Sequence, residues 1–223
     1  MIDRKTYNLM KKYGDDGSWA VWSHQTEKGK PKSNMGDMEW ARDEKSLLPK
    51  LNPKFVLVGL NKSKRKKNKL QNDNDENDNA KTLWKNFHSG NSRGHSYKLR
   101  YALKGTKLWG AYMTDIIKVV PGKDSNKDAH AVETNSKEII RVIKKDRPTL
   151  ERNIKKFESE ISLLGVKPVL IALGKDVRNL FEYLKGKYDI LELPHYSYSK
   201  INKEQYRVKV FKTLKEYTRG AKK

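Results

Sequence analysis

The 223-residue chain has no cysteine. That absence excludes disulfides, thiolate zinc centres, iron–sulfur clusters and a cysteine nucleophile, and it fits a reducing cytosol. Long apolar runs are lacking too, so nothing approaches the length of a membrane span. The opening "MIDRKTYNLMKKYGDDGSW" has no apolar core of signal-peptide type. A cytoplasmic protein with no membrane partner is therefore expected. No GxxxxGKS/T loop is present, no GxGxxG follows an apolar run, and no GxSxG elbow exists to carry a serine nucleophile. The 5 histidines are scattered without metal-ligand spacing. "HAVE" at 130–133 echoes the HxE of zinc deaminases, but the spacing is wrong and no Cys pair is there to hold the metal. The expectation is no metal and no cofactor.

Acidic residues are also in short supply. Against 49 Lys and Arg stand 27 Asp and Glu, a net charge of +22. Such a field attracts polyanions and speeds encounter with them. The cations are spread along the chain rather than confined to a tail, as when a folded surface tracks phosphates. A ribosome-associated protein, or a basic surface with no dedicated partner, would show the same totals.

What the chain does have is four short apolar runs: "FVLVGL" (55–60), "AYMTDIIKVV" (111–120), "KPVLIALG" (167–174) and "YDILELPH" (188–195). Near-continuous apolar character suits strands covered on both faces, as in a parallel sheet. Between the second and third, Ile154, Phe157, Ile161 and Leu164 recur at helical spacing, with Pro148 at the start and Gly165 as the stop. Helices are also expected over 174–186 and 202–220. This alternation predicts an α/β fold, a three-layer α/β/α sandwich around a central, mainly parallel four-stranded sheet. Residues 1–223 read as a single domain. Residues 62–80, "KSKRKKNKLQNDNDENDNA", have a basic half, an Asn/Asp-rich half and almost nothing apolar, so a flexible charged insertion is expected there.

Ligands of open α/β sheets bind beyond the carboxyl ends of the strands. The unusual polar residues fall at those ends: Asn61, Asp115, Gly174 and His195. The motifs there are "GLNKS", "MTDIIKVVPG", "ALG" and "PHYSYS". In this order they resemble the uracil-DNA glycosylase superfamily over roughly residues 50 to 215. Its members carry a Gly-x-Asn/Asp/Glu-Pro loop after the first strand and a Thr-Asn near the end of the second. They continue with a Leu-Gly after the third and a His-Pro-Ser after the fourth. "FHSGNSRGHSYKLRYAL" (87–103) looks like the aromatic loop and helix that follow the family's first motif. The departures are Lys62 and Tyr196 in place of proline, and Thr114-Asp115 in place of Thr-Asn.

The resemblance implies a metal-free, monofunctional DNA glycosylase that flips a base and hydrolyses its N-glycosidic bond to leave an abasic site. It puts Asn61, which orients water without being a strong base, and His195, a donor to the departing base, in the catalytic roles. Gly59, Ser63, Phe87 and Asp115 would contact the base, with Phe87 stacking on it. Lys62, Lys64 and Arg65 would grip phosphates, and Tyr196, Ser197, Tyr198 and Lys200 would press on the duplex. Each also has a plainer reading: a strand-end turn for Asn61, a packed histidine for His195, a turn cap for Asp115, a core ring for Phe87.

The departures bear on substrate choice. An ionised Asp115 only accepts hydrogen bonds, which opposes uracil O4 and suits the N4 amino group of cytosine. The opposed cytosine N3 would need a shared proton or a water. Ser63 is small where strict uracil enzymes hold an aromatic wall, so a 5-substituent would fit. A modified cytosine such as the glucosylated hydroxymethylcytosine of some phage DNA is the expected base, with a role in anti-phage defence. Uracil repair stays open, as do a non-catalytic DNA- or RNA-binding protein and a metal-dependent nuclease using Asp115 and Glu133. A monomer acting on DNA is expected.

Overall fold

The computed structural model describes residues 2–22, 44–62, 83–84, 86–88, 96–121, 128–130 and 136–220. Helix α1 (Arg4–Met10) leads through a 3-10 turn (Lys11–Tyr13) into the short strand β1 (Ser18–Trp19). After α2 (Glu44–Leu47) come β2 (Asn52–Asn61), α3 (Ser96–Leu103) and β3 (Ala111–Ile117). A two-stranded ribbon, β4 (Val119–Pro121) with β5 (Asp128–His130), precedes α4 (Ser136–Lys145) and α5 (Arg147–Ser162). The chain closes with β6 (Val169–Leu173), α6 (Lys175–Leu180), β7 (Ile190–Leu193) and α7 (Lys203–Gly220).

The central sheet has the order β1-β3-β2-β6-β7. β3, β2, β6 and β7 run parallel and are the four apolar runs of the sequence. The expected four-stranded sheet gains a fifth strand: β1 adds antiparallel to the β3 edge through Ser18 and Trp19. Two residues are too few to show a periodicity, which is why this strand was not legible. Helix α5 starts as read, with Pro148 in its first turn and the Asp146 carboxylate accepting from the Thr149 backbone N–H at 3.0 Å.

Alternation along the strands divides the core in two. Val56, Val58, Leu170 and Ala172 face α4, α5 and α6, meeting Ile143, Ile154, Phe157 and Val177. Phe55, Leu57, Ile171 and Leu173 face α3 and α7, meeting Leu99, Leu103, Tyr206 and Val210. These two apolar layers make the α/β/α sandwich, and they fix which side of the sheet each polar residue at a strand end occupies.

On the α5 face lies a buried polar cluster. Glu160 accepts from the Tyr112 hydroxyl and the Thr114 hydroxyl, both at 2.7 Å, and its other oxygen lies 2.7 Å from Lys118 Nζ. Lys118 Nζ also donates to Thr114 Oγ1 at 2.8 Å. Burial and the Glu160 carboxylate together hold the Tyr112 hydroxyl well above its ordinary range. Removing one partner of such a pair strands the other charge in the interior. Glu160→Ala is expected to cost about 3–5 kcal/mol, read as a lower urea midpoint; an unchanged midpoint would show that Lys118 does not depend on its counter-charge.

Candidate active site

The parallel register sets Gly59 of β2 beside Asp115 of β3, and Asn61 beside Ile117. Residues 59 and 61 continue the odd-numbered face of β2, the one covered by α3 and α7. Glycine at 59 is a steric requirement. A Cβ there would lie 2.3 Å from Asp115 Oδ1 and 3.2 Å from the Phe87 ring. The missing side chain lets a carboxylate and an aromatic ring close over the strand.

Asp115 is buried, and burial pushes its carboxyl up to about 6. Asp16 and Glu160 nearby push in the same direction. The Asn86 amide, which donates to Asp115 Oδ2 at 2.8 Å, and the Lys118 charge pull the other way. Asn86 was not among the residues expected from sequence. Its amide also donates to the Asp16 carbonyl, and its own Oδ1 accepts from the Phe87 backbone N–H at 3.0 Å. One side chain thus ties the Asp115 carboxylate, the Phe87 backbone and the N-terminal segment together. The only signal for it was its place beside Phe87. Phe87 takes φ +65° and Trp84 φ +73°, in the left-handed region that bulky residues rarely adopt. Trp84 is held by its indole N–H to the Tyr7 hydroxyl at 3.0 Å, and its carbonyl accepts from Ser18 Oγ at 2.7 Å.

The fourth strand end delivers His195. The Ser197 backbone N–H donates to its Nδ1 at 3.2 Å, and Ser197 Oγ lies 2.6 Å from the same nitrogen. Nδ1 is therefore an acceptor, which leaves the proton of the neutral ring on Nε2. Tyr196 stacks on the imidazole with centroids 4.5 Å apart, and the Phe87 ring lies tilted to Tyr196 with centroids 6.5 Å apart. Gly174 takes φ +99° at the end of β6, where a Cβ would lie 3.4 Å from His195 Cβ. The loop after His195 is pinned by Lys98 of α3, whose ammonium donates to the Tyr198 carbonyl at 2.9 Å and the Ile201 carbonyl at 2.7 Å. Burial lowers the Lys98 pKa. Nothing in the sequence distinguished Lys98 from the other lysines.

Asn61, Phe87, Asp115, His195, Tyr196, Ser197 and Tyr198 all line one cleft of about 960 Å³. Asn61 is partly buried, and its amide donates to the Lys62 carbonyl at 3.0 Å. Lys62 itself turns to the N-terminal segment, donating to the Asp15 carbonyl at 2.6 Å with the Asp16 carboxylate 3.8 Å away. Lys200 is exposed in the turn beyond Tyr198. Ser63, Lys64 and Arg65 lie outside the described residues, as do Glu133 and the rest of the expected insertion to residue 80. Among the described residues no cluster of His, Asp and Glu is suited to a metal ion, and no helix is long and apolar enough to cross a membrane.

A carboxylate, an amide, an imidazole and aromatic rings thus surround one cleft at the carboxyl rim of a parallel sheet, where open α/β sheets bind their ligands. The family model described as the uracil DNA glycosylase superfamily matches residues 46–218. No curated protein and no solved structure matches the chain. The matched span includes every strand of the cleft, and members of the family act on DNA, generally by hydrolysing N-glycosidic bonds. The chain belongs to the uracil DNA glycosylase superfamily.

Proposed function

We propose that the protein is a monofunctional DNA glycosylase that acts as a monomer, flips a base into this cleft and leaves an abasic site. The observation that carries the reading is the convergence of Asn61 and His195 on one cleft, with Asp115 of β3, the strand beside that of Asn61, buried in its wall. Breaking the N-glycosidic bond develops positive charge on the sugar and negative charge on the departing base. His195 Nε2–H is the donor for the base O2, and a donor fixed in advance costs no reorganisation as charge develops. Ser197 contributes by holding Nδ1 as an acceptor. Asn61 orients the attacking water. Phe87 and Tyr196 supply aromatic faces for the flipped base.

Asp115 reads the base. Protonated, it donates to cytosine N3 while accepting from N4, and this is the shared proton that a carboxylate alone lacks. Its elevated pKa makes that form accessible in mildly acidic solution. The cleft is several times the size of a pyrimidine, and Asp176 and Glu192 in its wall can accept from hydroxyls of a 5-substituent. The substrate is therefore proposed as a 5-modified cytosine, a hydroxymethylated or glucosylated base of phage DNA, whose removal would serve defence.

The departures at Lys62, Asp115 and Tyr196 favour, as second reading, a DNA-binding protein that has kept the fold and lost the chemistry. Alkali treatment of incubated DNA separates the two, because strand breaks at abasic sites require excision. Asn61→Ala and His195→Ala are each expected to keep DNA affinity and to lose at least about 100-fold in excision, the typical worth of a positioned donor or proton carrier. Native cutting by both variants would remove them from catalysis.

Asp115 also sets the expected pH dependence. Its folded pKa lies above the ordinary value of 3.8, at about 6, so between these values the folded chain keeps a proton that the unfolded chain releases. Its contribution to stability is therefore present at low pH and lost as pH rises through about 6. Excision should rise as pH falls through the same value. Asp115→Asn should abolish that step and shift preference toward uracil. An identical pH profile and base preference in the variant would exclude Asp115 from recognition.

A further inference from the structure

A second cavity, of about 490 Å³, opens on the opposite face of β3 from the cleft. Helix α5 presents Arg152, Lys155, Lys156 and Ser159 to it, at spacings i, i+3, i+4 and i+7 that form one exposed stripe opposite the buried Ile154, Phe157 and Ile161. Lys12 and Tyr13 of the 3-10 turn close the other wall, and Lys118 lies at its base. Lys118 is already neutralised by Glu160, and Asp16 is the one carboxylate among the described lining residues. Asp16 in turn lies 3.8 Å from Lys62 Nζ. Lys12, Lys155, Lys156 and Arg152, whose guanidinium also donates to Thr149 Oγ1 at 2.8 Å, outnumber the one carboxylate, Asp16, among the described lining residues.

The cavity stands at the same end of the sheet as the cleft. Ile117, the residue before Lys118, pairs with Asn61. Asn153 of α5 accepts from the Lys118 and Val119 backbone N–H groups at 2.7 and 3.0 Å, so the first turns of α5 are level with the strand ends. Asn86 lines the cleft, Asp16 lines the cavity, and the Asn86 amide donates to the Asp16 carbonyl, which links the two walls. A polyanion that extends from the cleft past Asn86 and Asp16 would reach this groove.

We infer that the groove between α5 and the Lys11–Tyr13 turn is a second phosphate site, which takes the sugar–phosphate backbone of the DNA flanking the flipped nucleotide. Multiple cations on one rigid helix suit successive phosphates, and the contact carries no sequence information. The identification of the anion as DNA rests on the glycosylase reading, whereas the preference for phosphate rests on the groove itself.

The test is the salt dependence of binding to a duplex, compared between wild type, R152A/K155A/K156A and a control, K54A/K167A/K185A. The control removes the same charge from exposed positions at the amino ends of the strands. The groove variant is expected to flatten the slope of log K against log salt by about 2–3, at roughly 0.9 per phosphate contact. The control should keep the native slope. Pyrophosphate titrated by calorimetry is the second arm. Loss of pyrophosphate binding in the groove variant, with the duplex slope unchanged, supports a phosphate site but overturns DNA as its source. Equal slopes in groove variant and control, with no pyrophosphate binding, overturn the site. Excision assayed in parallel keeps the two proposals apart: a wild type that binds with the expected slope difference and releases no base loses the glycosylase reading and retains the groove.

Discussion

The parallel pairing of β2 with β3 is the constraint on which the site depends. It sets Gly59 against Asp115, and only a residue without a side chain leaves room for that carboxylate and the Phe87 ring. The same register puts Asn61 at the rim. A shift of β2 by one residue would turn 59 and 61 to the α5 face and empty the cleft of its amide. The apolar alternation that packs Val56 and Val58 on one side and Phe55 and Leu57 on the other holds that register in place. Core packing thereby chooses the face on which the polar strand ends emerge.

β3 serves both faces of the sheet. Asp115 points to the cleft, while Thr114 and Lys118 join the buried Glu160 cluster on the α5 side. The two sets communicate through the field, since the Lys118 charge lowers the Asp115 pKa and Glu160 raises it. Asn86 and Asp16 add a hydrogen-bonded link across the strand end. The protonation of Asp115 is therefore set by burial first, then by neighbours drawn from four separate stretches of the chain.

Much of this was legible in the sequence, for physical reasons. Strands buried on both faces must be apolar, so β2, β3, β6 and β7 stood out, and the polar residues that end them were conspicuous by contrast. The Pro148 start and Gly165 stop of α5 follow from local backbone chemistry. β1 was not legible because its two residues are recruited by the β3 edge rather than by any pattern of their own. Asn86, Lys98 and Glu160 escaped for a related reason: their importance comes from partners 29 to 103 positions away in the chain, and an isolated Asn, Lys or Glu carries no mark of that. Lys62 shows the converse, a basic residue beside a motif that the fold turns toward Asp15 and Asp16.

Mass spectrometry of the free bases released from phage genomes of differing cytosine chemistry addresses the central claim most directly. A single base, a 5-substituted cytosine, is expected to appear in solution with wild-type protein and to be nearly absent with the Asn61 alanine variant. DNA that is bound with no base released from any genome would contradict it.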